Sequence, residues 1–212
     1  MHVVLFGASG TIGQRIAREA RARGHQVTAV VRHPADVEGV EGVSVVQGDV
    51  TDPTGVARVV RGADAVVSAV SPRGGQPFSM LSRAAHALIE GMKQAGLKRL
   101  VVVGGAGSLQ APEGGRVMDR PSFPTAWKPF AEAHAEALEV YRREGAGLDW
   151  TYISPADLIQ PGERTGHYRA GGETLVVDAE GHSHISTEDY AVALVDELEH
   201  PAHVGRRFTV GY

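Results

Sequence analysis

The chain has 212 residues, 42% of them hydrophobic, which suffices for one sizeable core and so for a single domain. Its 21 basic and 25 acidic residues are mixed along the chain and leave a net charge of -4, which argues against nucleic-acid or anionic-membrane binding and for a small-molecule partner, with the oligomeric state open between monomer and homodimer. The absence of cysteine excludes disulfides, thiolate catalysis and Cys-ligated metals; with no secretory leader pattern and no apolar stretch of membrane-spanning length, a soluble cytoplasmic protein is expected.

Apolar, β-rich runs alternate with segments of helical period from one end to the other, and the runs are continuous, as in strands buried on both faces. "HVVLFG" predicts the first strand, followed by a helix with the stripe Ile12, Ile16, Ala17, Ala20 and a stop at Gly24. "QVTAVVR" and "VSVVQGDV" predict the second and third strands. "TDPTGVARVVRG" predicts a helix capped by Thr51 or Asp52, with Pro53 in its first turn and Gly62 as terminator. "ADAVVSAVS" supplies a fourth strand, residues 78–95 a longer helix and "KRLVVVGGAG" a fifth strand. Residues 105–127 are rich in Gly and Pro and too long for an ordinary connection, which points to a flap over a site. A helix over 129–144, the strand "LDWTYIS", a strand "ETLVVD", the helix opened by "STEDYAVALVDELE" and the strand "RRFTVGY" complete the order. Such alternation implies right-handed crossovers and a three-layer α/β fold around a doubly wound, mostly parallel sheet, with the ligand crevice where strands one and four diverge. A small C-terminal portion, with the loops 105–127 and 156–186, is expected on the substrate side.

Three glycines sit at that crevice. Between the first strand and helix the chain must turn sharply, let a diphosphate touch its backbone, and open a helix whose unpaired N–H groups face the anion. Gly7 suits the turn, Gly10 the close approach and Gly13 the packing of helix on strand, while Ser9, Thr11 and Ile12 offer N–H groups and hydroxyls. No GxxxxGK[ST] is present, which argues against a P-loop.

The spacing Gly-x-x-Gly-x-x-Gly resembles that of the extended and atypical short-chain dehydrogenase/reductase superfamily. Across the whole chain, "GASGTIG", "GDVTD", "VVVGGAGSL", "LDWTYISP", "PGERTG" and "RRFTVGY" are similar to the small NAD(P)H-binding Rossmann proteins described as candidate NADH-flavin reductases, close to the NmrA-like and biliverdin reductase B-like branch. The resemblance implies that Asp49 accepts from the adenine amino group with Val50 beside the ring, where a plain turn or capping Asp is the rival. It implies that Ser68, Ala69, Val70 and Ser71 run beside ribose and diphosphate, that Gly104 and Gly105 approach the nicotinamide ribose, and that Pro155 lines the carboxamide. Small residues in a buried strand and chain reversals are the structural alternatives.

An NAD-binding Rossmann protein places an acid about 20 residues past its glycines to accept from the adenosine ribose. Here Arg32 and His33 stand in that place, and no acid follows until Asp36. A guanidinium there grips a 2'-phosphate bidentately, so NADP(H) is favoured, with NAD(H) the alternative. Arg15 either assists or lies on an exposed helix face.

Short-chain dehydrogenases that act on an alcohol carry Tyr-x-x-x-Lys, one helical turn apart, to exchange a proton with the substrate oxygen. In the matching helix, "PFAEAHAEALEVY", Phe130 and His134 fall at those positions, and a phenyl ring transfers no proton. Hydride transfer to a flavin does not need that tyrosine, because the charge left on the flavin is delocalised and met by solvent. Phe78, Phe123, Trp127 and Phe130 are candidates to stack on such a ring, or to fill core. Ser108 is expected to hydrogen-bond substrate or nicotinamide. His134 is expected either to contact the ribose hydroxyls as the usual lysine does or to sit on the helix surface between Glu132 and Glu136.

His182 and His184 in "GHSHIS" share a strand face but suggest no third ligand, HExxH and GxSxG are absent, and no metal site is expected. The reading is an NAD(P)H-dependent reductase that uses a flavin or similar flat acceptor as substrate; its rival is a non-catalytic NAD(P)-binding redox sensor of NmrA-like type.

Overall fold

His2–Phe6 (β1) alternates its side chains between two apolar environments, Val3 and Leu5 toward one face, Val4 and Phe6 toward the other, and all four are buried. In the computed structural model, which describes residues 1–33 and 42–212, this strand lies at the centre of the sheet. The chain continues through Thr11–Ala22 (α1), Gln26–Val31 (β2), Ser44–Gln47 (β3), Pro53–Val59 (α2), Ala65–Ser68 (β4), Met80–Ala95 (α3) and Arg99–Val103 (β5). Lys128–Glu144 (α4), Asp149–Ser154 (β6), Leu158–Gln160 (β7), Arg169–Gly171 (β8), His184–Ser186 (β9), Thr187–Glu199 (α5) and Arg206–Gly211 (β10) complete it.

The main sheet runs β3-β2-β1-β4-β5-β6-β10-β8, parallel throughout except for β8, which pairs antiparallel with β10. From β1 the chain builds outward on one side through β2 and β3, then returns to add β4 on the other. The reversal of direction leaves a crevice beyond the carboxyl end of Phe6, which lies level with Val30 on β2 and Ser68 on β4. Helices α1 and α5 pack together on one face of the sheet, with Ile16, Ala17, Ala20, Tyr190 and Leu194 in that core layer. On the other, α2, α3 and α4 pack through Val56, Leu88, Met92 and Leu138. This is the doubly wound architecture that the alternation of segments predicts.

Local chemistry fixes the helix starts. Asp52 caps α2, its carboxylate accepting from Thr54 N–H at 3.1 Å, with Pro53 in the first turn. Thr51 instead closes the preceding turn, its N–H and hydroxyl both donating to Asp49 at 2.8 Å. Ser186 caps α5 by accepting from Asp189 N–H at 2.9 Å.

Two expectations are corrected. "ETLVVD" is not a strand of the sheet: Leu175 N–H donates to Gln110 O and Gln110 N–H to Glu173 O, both at 2.9 Å, while buried Leu175 joins Leu109, Ala111 and Val117 in a satellite core. The apolar run is spent on anchoring the 105–127 segment, and Arg169–Gly171, with no apolar alternation, takes the sheet edge instead. The 156–186 stretch is divided as well. Its first residues, Ala156, Asp157 and Ile159, line the crevice, but Arg164 is held by Glu19 at 2.7 and 2.8 Å and Thr165 by Asp189 at 2.6 Å, and neither lines it. A short parallel pair, β7 with β9, lies within this portion. Among the described residues no helix is long and apolar enough to cross a membrane, and no cluster of three or more His, Cys, Asp or Glu is placed to hold a metal ion.

Candidate functional site

The turn after β1 depends on the absence of side chains. Gly7 has φ of +84°, in the left-handed region, and a Cβ there would lie 2.3 Å from Ala69 O. Gly10 N–H closes the turn onto Gly7 O at 3.1 Å. A Cβ on Gly13 would lie 2.1 Å from Gly7 O, so this glycine lets α1 rest on the turn. Gly10 precedes α1 and no side chain caps that helix, so its first N–H groups stay open for an anion.

These N–H groups face a cleft of about 920 Å³ across the carboxyl ends of the parallel strands, toward the upper end of the volume range of small-ligand pockets. The structure brings Gly7, Ser9, Gly10, Thr11 and Ile12 into its wall with Arg32, Asp49, Val50, Ala69, Val70, Ser71, Gly104, Gly105, His134 and Pro155. Gly13 supports the turn from behind, and Ser68 is buried in β4 beneath the cleft.

At one end, Arg32 follows β2 with its guanidinium exposed and free of hydrogen bonds or ion pairs to the described residues. Asp36 lies outside the described residues. The alternatives for Asp49 prove compatible: Oδ1 takes the Thr51 turn while the carboxylate also lines the cleft, leaving Oδ2 open.

At the other end, Gly104 and Gly105 make room for two rings. A Cβ on Gly104 would meet Tyr152 Cε1 at 2.1 Å, and one on Gly105 would lie 3.0 Å from His134 Cβ and Cγ. His134 is 7% exposed, not a surface residue between Glu132 and Glu136, and Phe130 packs edge-on against it at 4.6 Å. Tyr152 O–H donates to the His134 carbonyl at 3.0 Å and lies 3.2 Å from Nδ1. With its one proton committed to the carbonyl, the phenol oxygen accepts from Nδ1–H, which assigns the lone pair of the imidazole to Nε2. Burial pushes the His134 pKa down to about 4, so the ring is neutral at pH 7. An uncharged acceptor thus stands on the cleft wall.

Phe78, Phe123, Trp127 and Phe130 line the same end, and Phe78 and Trp127 are 42% and 62% exposed, so they belong to the rim and not the core. Phe78 and Phe130 lie 5.9 Å apart.

Two expectations fail here. Ser108 does not line the cleft: its hydroxyl accepts from Arg207 Nη1 at 2.7 Å and its carbonyl from Nη2 at 3.3 Å, because buried Arg207, which also pairs with Glu173, must satisfy its donors. Arg15 is likewise turned away, donating to Glu188 at 3.0 Å and to Thr11 O at 3.2 Å. Conversely, sequence reasoning misses Arg73, which lines the cleft with Nη2 only 3.2 Å from where a Gly10 Cβ would stand. It also misses Gln76, accepting from Arg73 N–H at 3.3 Å, and Tyr152 behind His134. A cation two residues past Ser71 in "SPRGGQ" is the available signal.

The cradle fits a dinucleotide: bare backbone, an uncapped helix start and a nearby guanidinium are what a diphosphate requires. Fold and cleft together define a dinucleotide-binding protein of Rossmann type. A family model described as NAD(P)H-binding matches residues 7–201, and the chain belongs to that family. The uncharacterized protein YwnB of Bacillus subtilis is 42% identical over 213 residues, covering 99% of this chain and 98% of its own. A candidate epimerase of Bacteroides thetaiotaomicron superposes with a TM-score of 0.90 at 43% identity over 100% of this chain and 96% of that one. A candidate NADH-flavin reductase of Streptococcus pneumoniae gives 0.89 at 35% identity over 100% and 99%.

Proposed function

We propose that the protein carries hydride from NADPH to a free flavin or a similarly flat acceptor, acting chiefly by holding two rings together. The observation that supports this reading is the aromatic end of the cleft, where Phe130 and His134 stand one helical turn apart. We take them to occupy the places of the Tyr-x-x-x-Lys pair. Phe130 has no exchangeable proton, and neutral His134 turns its one N–H toward Tyr152. Such a pair does not protonate an alkoxide, which weighs against carbonyl, epimerase or dehydratase chemistry begun by a tyrosine.

When bound, NADPH supplies a hydride from nicotinamide C4 to flavin N5, leaving NADP⁺, while flavin N1 takes a proton from solvent. The residues divide the work of holding it. The main-chain N–H groups at the start of α1 hold the diphosphate, with Arg73 countering its charge. Arg32 takes the adenosine 2'-phosphate, Asp49 accepts from the adenine amino group, and His134 Nε2 accepts from a nicotinamide ribose hydroxyl. Gly104 and Gly105 admit the ribose, and Phe78, Phe123, Trp127 and Phe130 stack against the acceptor and exclude water.

The test is anaerobic loss of reduced-nicotinamide absorbance with riboflavin as acceptor. Enzyme-dependent oxidation with one flavin reduced per NADPH is expected, with NADPH about tenfold ahead of NADH in kcat/KM, a gap that Arg32→Ala narrows. Coenzyme binding without consumption by any flavin or quinone would overturn the proposal.

A further inference from the structure

We infer that the acceptor site continues into a second hollow and that this hollow selects a flat acceptor with an uncharged, hydroxyl-bearing tail over one ending in phosphate; the inference rests on the reductase reading above. The hollow, about 560 Å³, adjoins the cleft and shares Phe123, Trp127 and Asp157 with it. A ring stacked among the aromatic groups of the cleft therefore has a built exit for a tail, past the exposed face of Trp127.

Beyond that indole the lining changes character. Ser122, Ser183, His182 and His184 present small donors and acceptors that suit the hydroxyls of a polyol. The charges oppose a phosphate. The guanidinium of Arg120 is already engaged, bidentate to Glu113 at 2.6 and 3.1 Å and to Asp157 at 3.4 Å. Asp178 Oδ2 stands 3.6 Å from His182 Nδ1 and 3.9 Å from His184 Nδ1. Hydrogen bonds from Arg120 hold the Glu113 carboxyl below its ordinary range, and the His182 and Glu180 N–H groups do the same for Asp178. Two carboxylates, Glu113 and Asp157, thus engage the one guanidinium on this wall, and a third, Asp178, stands behind the two histidines. A phosphate dianion entering here would meet net negative charge, and to gain Arg120 it must displace Glu113. Over a separation near the screening length of about 8 Å, such repulsion is worth a severalfold difference in affinity.

Riboflavin and FMN share one ring and differ in the terminal phosphate, so their comparison isolates the tail. With saturating NADPH, riboflavin is expected to exceed FMN in kcat/KM by roughly fivefold at low salt. The gap is expected to shrink in about 0.5 M NaCl and in Glu113→Gln, which removes a carboxylate and releases Arg120, and in Asp157→Asn. FMN equal to or better than riboflavin, or a gap that neither salt nor either substitution moves, would overturn the inference while leaving the reductase reading standing. Oxidation of NADPH by neither flavin would remove the reductase reading and this inference with it.

Discussion

Burying His134 excludes the cation and keeps the ring, and this has a thermodynamic signature. The unfolded imidazole titrates near 6.5, whereas in the fold it titrates at about 4. Between those values the unfolded chain binds the extra proton, so the stability this group contributes is complete above pH 6.5 and falls away as pH drops toward 4. The amount is on the order of 3 kcal/mol. Carboxylates held low by their partners, such as Glu19 with Arg164, lose their contribution at still lower pH. Urea unfolding at pH 7 and pH 4.5 is expected to show a drop in the wild type that is markedly smaller in His134→Asn; equal drops would contradict the assignment. At this scale Gly7, Gly10 and Gly13 are legible in the sequence, because the positive φ of Gly7 and the closeness of Gly10 and Gly13 to Gly7 O are set within one short turn, whereas Gly104 and Gly105 answer to Tyr152 and His134 far along the chain. Ser108 is not, since its partner Arg207 lies 99 residues further along the chain. Arg73 escapes for a similar reason: its reach to Gly10 is decided by the path of the loop after β4, which no local pattern encodes.

The start of α2 shows an element whose sequence and structure agree. In Asp-Pro-Thr-Gly, Asp52 accepts from Thr54 N–H, Pro53 gives up a donor that has no partner anyway, and the bare Gly55 leaves room for the carboxylate: a Cβ there would lie 2.6 Å from Asp52 Oδ2. Asp52→Ala is expected to cost about 1 kcal/mol, seen as a lower urea midpoint at unchanged slope, with NADPH affinity preserved. An unchanged midpoint would contradict the cap. The buried parallel strands are legible for a related reason, since a run such as Ala65–Ser68, buried on both faces, has no other stable placement. "ETLVVD" has the same composition but spends it on the 105–127 segment, a choice that tertiary packing makes. Strands as short as Leu158–Gln160 and His184–Ser186 carry no period to detect.

For the whole molecule, the order of strands places the crevice, and the crevice gathers residues from 6 to 159 around one cleft. Little of this depends on long-range charge; net -4 is modest, and on the proposed reading the affinity for an anionic coenzyme comes from local main-chain N–H groups and two guanidinium groups. The acceptor side is less legible than the coenzyme side, because the former is assembled from loops whose geometry follows from distant anchors. Calorimetric titration of NADPH into the wild type and into Gly10→Val tests the cradle most directly. Gly10 has φ of -78° and ψ of 160°, which valine adopts, and its Cβ would lie 3.2 Å from both Gly7 O and Arg73 Nη2, so the turn must yield by a few tenths of an ångström. Circular dichroism and the urea midpoint check that the variant is folded, with the new side chain set beside Arg73 at the mouth of the cradle. Saturable one-site binding in the wild type, weakened at least about tenfold in the variant, is the expected result. No heat in the wild type, or equal affinity in a folded Gly10→Val protein, would contradict it.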